Sequence, residues 1–417
     1  MHRWATDLWP TCRSLTGDGV RTTLVHIKSL LPSLEVHEVP SGTNAFDWTV
    51  PDEWSIRDAY IADIDGHHLV DFHVSNLHVV GYSVPVDAVM DRDALEPHLH
   101  SFADQPDAIP YVTSYYERAW GFCLTQLQRD QLGDGPFIVY IDSTLTAGSL
   151  VYGDVVIPGD TDDEVLLSTY ICHPSMANDN LSGMVVTAAL GRWLMSQPRR
   201  YTYRLVFVPE TIGAIVYLAQ HLDALRVNVK AGWVITCIGD ERTYSYVPSR
   251  LGNTLADRVS RSVLDTFAPG WIEYTYLDRG SDERQWCSPG ADLPVCSVMR
   301  SKYGTYPEYH TSLDDLTVVT PTGLQGGFDM LRHCIELVEE NECWRTVLPG
   351  EPQLGRRGMY PTTSFKGSAT DMCAMRDVLA YCDGEHDVMQ LAAHTGVDLI
   401  TVIDMLARLA AAGIITK

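Results

Sequence analysis

EVLLSTYICHPSMANDNLSG, residues 164–183, is the stretch on which the reading of the fold turns. Its apolar run Val165–Ile171 has the length of a buried strand. Pro174 then breaks the chain into a loop, with His173 just past the strand end and Asp179 inside the turn formers Asn178–Asn180. Gly183 opens an apolar helix over Met184–Met195. A histidine and an aspartate on a loop between a buried strand and a helix suit an α/β protein, whose ligands bind outside the carboxyl ends of the strands. A plainer reading stays open, in which Asp179 or Ser182 caps the helix and His173 is merely polar.

On either side of this stretch the same alternation continues. PFIVYID and SLVYGDVVIPG precede it as strands. YRLVFVP, a helix over Ile212–Leu225, AGWVITCIG, a helix over Leu255–Phe267, LPVCSVM and a helix over Leu324–Glu339 follow it. Strands alternating with crossover helices predict a mostly parallel sheet sandwiched by helices. Residues 1–32 read as helices; Leu24, Ile27, Leu30 and Leu31 give a helical spacing closed by Pro32. Leu34–Val39 reads as a strand. Between Trp48 and Pro110 the texture changes to short β-like pieces, AYIADI, HLVDF and HVVGYSVPV, separated by turn residues such as Asp65-Gly66. A helical pattern returns over Glu117–Gln131. The expected organisation is an α/β core over residues 1–47 and 111–345, an inserted all-β domain over 48–110, and a C-terminal region over 346–417. That region opens on a linker, LPGEPQLGRRG, and continues as a winged-helix-like unit.

Composition narrows the function classes. At 417 residues, the usual size of about 100–200 residues per domain predicts two to four domains. Hydrophobic residues make up 45%, enough for a sizeable core, which argues against wholesale disorder. The net charge of −24 argues against nucleic acid and anionic membrane surfaces as partners, since phosphate binding needs clustered Lys and Arg. The ten cysteines are scattered with no CxxC pair, and Cys172, Cys237 and Cys296 lie in apolar runs. They read as free thiols of a cytoplasmic protein rather than a disulfide framework. No signal-peptide pattern and no apolar run of about 18 residues is visible, so neither secretion nor a transmembrane helix is expected. A homo-oligomer is left open.

The C-terminal pattern VMQLAAHTGVDLITVIDMLARLAAAGIITK suggests a helix-turn-helix with a small wing, which raises DNA binding. Its charge points elsewhere. From Pro361 to Lys417 there are seven acids against four bases, Lys366, Arg376, Arg408 and Lys417, a balance of −3. A packing or dimerisation unit is expected.

Three further strand ends carry suitable polar groups: Glu210 in PETIG, the segment DRGSDERQW, and His310 in YPEYHTSLDDL. Each alone has an ordinary explanation, such as a helix-start acid for Glu210. Together they make a series of His, Asp, Glu and His on loops at the strand ends of one sheet. This series resembles the zinc aminopeptidase and glutaminyl cyclase superfamily. More closely, IPYVTSYYERAWGFC, GSLVYGD, STYICHPSMANDNLSG, PETIGAI and YPEYHTSLDDL are similar to a bacterial aminopeptidase-like family often linked to polysaccharide biosynthesis, over nearly the whole chain. The resemblance implies an aminopeptidase-like core, an inserted β domain and a C-terminal winged helix.

It also implies a metal centre, with departures. Two-zinc members carry an HxD motif where this chain has His173-Pro174-Ser175, and a Glu-Glu pair where it has Glu210-Thr211. A further carboxylate ligand is replaced around Thr236 and Cys237, with Asp240 nearby as the one candidate for a second metal. What remains, His173, Asp179 and His310, suits one catalytic zinc with an open position. Glu210 is then expected as general base, ionised at neutral pH. The expected function is mononuclear zinc-dependent hydrolysis of an amide or peptide bond, by an aminopeptidase-like enzyme or a deacylase of a small metabolite. A substrate with a free amine suits the acidity, with Glu283, Glu308 and Tyr309 as candidate contacts. The alternatives are a zinc-dependent amide-forming or cyclising enzyme resembling glutaminyl cyclase, and a non-catalytic binding or assembly protein.

Overall fold

An eight-stranded sheet carries the first part of the chain. Its order is Glu35–Pro40, Ser149–Ile157, Thr202–Val208, Glu164–Tyr170, Val229–Val234, Val295–Met299, Ser245–Val247 and Ile272–Glu273. The four strands from Thr202–Val208 to Val295–Met299 are mutually parallel, and antiparallel pairings flank them on both sides. The computed structural model describes residues 1–359 and 370–417. They form two compact units, residues 1–332 and 333–417, divided within the helix Pro321–Glu340.

Register explains why the parallel strands matter. Tyr170 lies opposite Val208, and Ser168 opposite Val234, which is itself opposite Ser297. The segments that follow, bearing His173, Glu210, Asp240 and residues 300–314, therefore leave the sheet at one end. The strand Glu164–Tyr170 is buried at every residue, as a parallel strand covered on both faces should be. The helices after it run Gly183–Leu194, Ile212–Asn228 and Leu255–Phe267, close to their predicted bounds.

Two parts of the sequence reading change. The strand Phe137–Thr146, expected in the parallel core, pairs instead with Glu53–Ala62 and Val86–Met90 in a separate four-stranded sheet completed by His68–Asp71. That sheet has its own core around Ala59, Ile61, Phe122, Leu124, Val139 and Ile141, so the inserted region draws on chain well beyond Pro110. The helix expected over Glu117–Gln131 forms only at Gln126–Gln131. Trp120, Phe122 and Leu124 alternate onto the insert's core, so the apolar period there is two residues, that of an extended chain.

In the second unit, helices Thr370–Ala380, Val388–Thr395 and Leu399–Ala411 accompany a three-stranded sheet ordered Asp383–Asp387, Cys343–Thr346 and Ile415–Thr416. The strand Cys343–Thr346 lies before the expected start at residue 346. Leu354, read as linker, is fully buried in this unit's core with Val378, Leu391, Val402 and Leu406. Lys366 of the charge balance above lies outside the described residues. The exposed positions of the last helix are Ile400, Asp404, Ala407, Arg408 and Ala411, and Arg408 sits 3.8 Å from Asp404. This surface offers a duplex almost no positive field. Fluorescence anisotropy with a random DNA duplex at low salt is expected to show no salt-sensitive binding. Binding that disappears on deleting residues 342–417 would contradict this. Among the described residues no helix is long and apolar enough to cross a membrane.

Candidate metal centre

His173 is fixed through its backbone as much as its ring. Arg13, buried near the N-terminus, donates from Nε to the His173 carbonyl at 2.6 Å and from Nη2 to the Pro174 carbonyl at 2.7 Å. A guanidinium in place of water satisfies the His173 carbonyl and shares that of Pro174 with the Met176 N–H.

The loop that follows is anchored by its own asparagines. Asn178 donates to Asp240 at 2.9 Å and accepts from the Gly239 N–H at 2.9 Å. Asn180 donates to Thr169 and to the Tyr170 carbonyl at 2.9 and 3.0 Å. The carboxylate of Asp314 accepts the backbone N–H groups of Asn178 and Asp179, at 2.7 and 2.9 Å. Gly183 is required by close approach, since a Cβ there would lie 2.3 Å from both Asn180 Oδ1 and the Ile235 carbonyl. The result is a buried Asp179 whose Oδ1 accepts from the Tyr170 hydroxyl while Oδ2 has no hydrogen-bond partner.

Glu210 and His310 come from strained backbone. Thr211, directly after Glu210, has φ +62°, and His310 has φ +55°, both in the left-handed region. The Thr211 N–H bonds Asp282 at 2.7 Å, the Glu210 N–H bonds Cys172 Sγ at 3.2 Å, and Ser281 donates its hydroxyl to Glu210 Oε1 at 2.9 Å. The His310 ring stacks on Tyr309, with centroids 3.9 Å apart, and meets the edge of Tyr111 at 5.1 Å. Tyr111 N–H bonds the His310 carbonyl at 2.9 Å, so the inserted region supports this loop directly.

These side chains meet. His310 Nε2 lies 3.0 Å from Asp179 Oδ2 without forming an aligned hydrogen bond, and His173 Nε2 lies 3.8 Å from Asp179 Oδ2 and from Glu210 Oε2. One donor atom from each of His173, Asp179 and His310 falls within 4.8 Å of the others. Burial pushes the His173 imidazole down to about 4, so it is neutral and has a free lone pair. Burial works against the charge of Asp179, but His173, His310 and the Tyr170 hydroxyl outweigh it and hold the carboxyl at about 2. Two imidazoles, an ionised carboxylate and buried unpaired donor atoms facing one point fit a zinc ion.

Glu210 departs from expectation. Burial first, then the charges of Asp282 and Asp179, push its carboxyl well above the ordinary range. The protein's own groups therefore resist the expected ionisation, because a helix start supplies only about half a charge against burial and two acids. A divalent cation beside it acts in the opposite direction.

The other candidates are placed differently. The carboxylate of Asp240 accepts from Asn178, the Arg242 N–H and the Ser301 N–H, and no candidate metal cluster among the described residues includes it. Glu283 is fully buried and accepts from the N–H groups of Gly280 and Ser281 and from the Tyr303 hydroxyl, bracing the turn that carries Ser281. Glu308 pairs with Arg242 at 2.9 Å, and Tyr309 covers the His310 ring. Cys172 also lies within reach of His173 and Glu210, but burial raises its thiol well above the usual range and keeps it protonated. Tyr170, Asp314, Arg13 and Ser281 were not singled out from sequence. Tyr170, Ser281 and Asp314 lie inside quoted segments, Asp314 four residues past His310, but nothing local marks their roles, and Arg13 stands apart from all of those segments.

The first 341 residues decide the family. Residues 2–341 match the family described as a domain of unknown function (DUF4910), and residues 342–417 match a winged helix-turn-helix. The chain belongs to the DUF4910 family. This DUF4910 protein is 43% identical over 394 residues, covering 94% of its length and 90% of the other's, to a Clostridium acetobutylicum protein provisionally named for polysaccharide biosynthesis, with an aminopeptidase-like domain. A crystal structure from Clostridium acetobutylicum, provisionally described as a peptidase, superposes with a TM-score of 0.94 at 40% identity, covering 100% of this chain and 95% of that one. The zinc aminopeptidase BSAP from Bacillus subtilis shares the fold at a TM-score of 0.57 and 13% identity, over 81% of this chain and 94% of its own. The DUF4910 core thus has an aminopeptidase-like α/β fold, followed by a winged helix-turn-helix.

Proposed function

We propose that the protein is a mononuclear zinc-dependent hydrolase of an amide or peptide bond, with His173, Asp179 and His310 holding the ion and Glu210 as general base. The observation that carries this reading is the pair of buried, unpartnered atoms Asp179 Oδ2 and His310 Nε2, 3.0 Å apart and beside His173. A buried polar atom without a partner costs about 1–3 kcal/mol, and a bound cation removes that cost for both atoms. Bound zinc polarises a carbonyl and acidifies a water. The chain's own groups do the rest. Ser281 fixes Oε1 of Glu210 and leaves Oε2 directed toward His173, where it takes a proton from the attacking water and returns it to the leaving nitrogen. Tyr111 and Tyr309 flank His310 and exclude water from one side. The net charge of −24 suits a substrate with a free amine, a peptide or a small metabolite.

One ion is expected per chain, because Thr211 stands where a second carboxylate ligand would be and Asp240 is occupied by three donors. Elemental analysis at low free metal should return one equivalent of zinc. Two equivalents would overturn the mononuclear reading. A protein that carries no zinc and refuses added zinc favours a binding or assembly role. Product analysis separates hydrolysis, which consumes water, from cyclisation of the substrate amine onto the same carbonyl.

A further inference from the structure

The helix Ile212–Asn228 leads away from Glu210, and one side of it floors a groove of about 300 Å³. Ile215, Leu218 and Leu222 form the floor on successive turns. The helix begins at Ile212, two residues after Glu210; with a rise of about 1.5 Å per residue, Ile215 lies about 5 Å along the axis from that start and Leu222 about 15 Å. The groove therefore begins in the first turn of the helix that Glu210 shortly precedes. One wall is Gln285 and Ser288, from the turn of helix that follows Ser281, the residue bonded to Glu210.

The other wall is the tip of the hairpin formed by Asn44–Ala45 and Trp48–Thr49. Its turn places Phe46 at φ +53°, where hairpins favour Gly, Asn or Asp and a bulky residue is strained. Phe46 is 63% exposed and Trp48 42%, so neither ring serves the core. Strain of this kind persists where the surrounding structure imposes it, and it clusters at ligand clamps. The Trp48 ring lies 6.1 Å from Tyr116, whose hydroxyl donates to the Thr49 carbonyl at 3.1 Å. The hydroxyl of the adjacent Tyr115 bonds that of Tyr111 at 3.0 Å, and Tyr111 packs on His173 and His310. Contacts through the adjacent Tyr115 and Tyr116 thus connect the hairpin to the metal centre. Among the described residues the groove lining includes Asp47 but no Lys or Arg, which disfavours an anionic occupant.

We infer that this groove seats an uncharged, apolar group of the substrate, the size of an aromatic or branched aliphatic side chain, beside the bond that Glu210 attends. The inference rests on the hydrolase reading and deepens it. Two variants test it. Phe46→Gly removes the ring and relieves the strained φ, so a merely structural Phe46 predicts a lower melting temperature, whereas a clamp predicts an unchanged or higher one. Gly290→Trp introduces an indole at the groove rim, where a Cβ meets nothing within 4 Å.

The zinc-loaded wild type is assayed with phenylalanine, glycine and glutamate p-nitroanilides, and phenylalaninol and ethanolamine are titrated by calorimetry as probes that need no turnover. Wild type is expected to prefer phenylalanine over glycine and glutamate by about tenfold or more in kcat/KM, and to bind phenylalaninol correspondingly tighter than ethanolamine. Both preferences should fall to within about twofold of parity in Phe46→Gly and Gly290→Trp, with zinc content unchanged. No turnover of any amide, with the binding preference intact, removes the hydrolase reading and leaves the groove. Equal binding of the two amino alcohols, or a preference that survives both variants, overturns the groove.

Discussion

Glu210→Gln is expected to keep the zinc and the fold and to lose about 10²–10⁴ in turnover. Glutamine retains an oxygen for the Ser281 hydroxyl, which bonds Glu210 Oε1 at 2.9 Å, and its backbone N–H still reaches Cys172 Sγ. It has no carboxylate to take a proton from water. Burial and the charges of Asp282 and Asp179 all resist ionisation of Glu210 without the metal, so a neutral side chain of the same shape should leave the melting temperature of the metal-free protein equal or higher. Stability and activity then move in opposite directions, the signature of a residue held under strain for function. A role as a simple helix-start acid predicts the reverse, a lower melting temperature with turnover intact. Melting curves, zinc content and kcat measured on one preparation decide between the two. Near-wild-type turnover with zinc bound would remove Glu210 from the mechanism.

The second large effect is expected for Asp179→Ala, which should lose zinc and activity together. Asp179 Oδ2 is the atom that stands 3.0 Å from His310 Nε2 and 3.8 Å from His173 Nε2. Removing an outer-shell partner of a metal ligand typically costs about 10–100-fold in affinity, and loss of a ligand itself should exceed that. Competition with a chromogenic chelator reads the zinc affinity directly. His173→Ala and His310→Ala should behave alike. Wild-type zinc affinity in Asp179→Ala would place the metal elsewhere. Asp179→Ala also leaves the Tyr170 hydroxyl without its acceptor in the core, so some loss of stability is expected at about 1–3 kcal/mol. Tyr170→Phe, which deletes that hydroxyl and spares the carboxylate, controls for this part of the effect.

Local pattern was enough to find the elements that carry the centre. The apolar run after Glu164, the turn formers around Asp179 and the proline before Glu210 each announce a strand end or a helix start, because strand burial and helix initiation depend on residues close in sequence. Pairing partners do not. PFIVYID reads as a strand in either sheet, and only the insert's need for a strand between Glu53–Ala62 and Val86–Met90 decided where it went. The apolar residues at Trp120, Phe122 and Leu124 fitted a helix until a period-two surface became available to receive them.

The sequence by itself determined which residue types stand at the strand ends: His173, Asp179, Glu210 and His310, with Thr211 in place of a second carboxylate. These are properties of single positions and short spacings. The tertiary structure alone decided what each group can do. Register brings Tyr170 level with Val208 and so sets His173 beside Glu210, 3.8 Å apart. Burial, which is a sum over distant segments, keeps His173 neutral and raises the proton affinity of Glu210, while His173, His310 and Tyr170 overcome it to hold Asp179 ionised. Arg13 and Asp314, 160 and 135 residues from the backbone groups they bind at His173 and Asp179, have no local signal because their role exists only once the chain has closed around them. Electrostatics and hydrogen-bond satisfaction act through space, so the identity of the groups was legible in the chain and their protonation, orientation and partners were not.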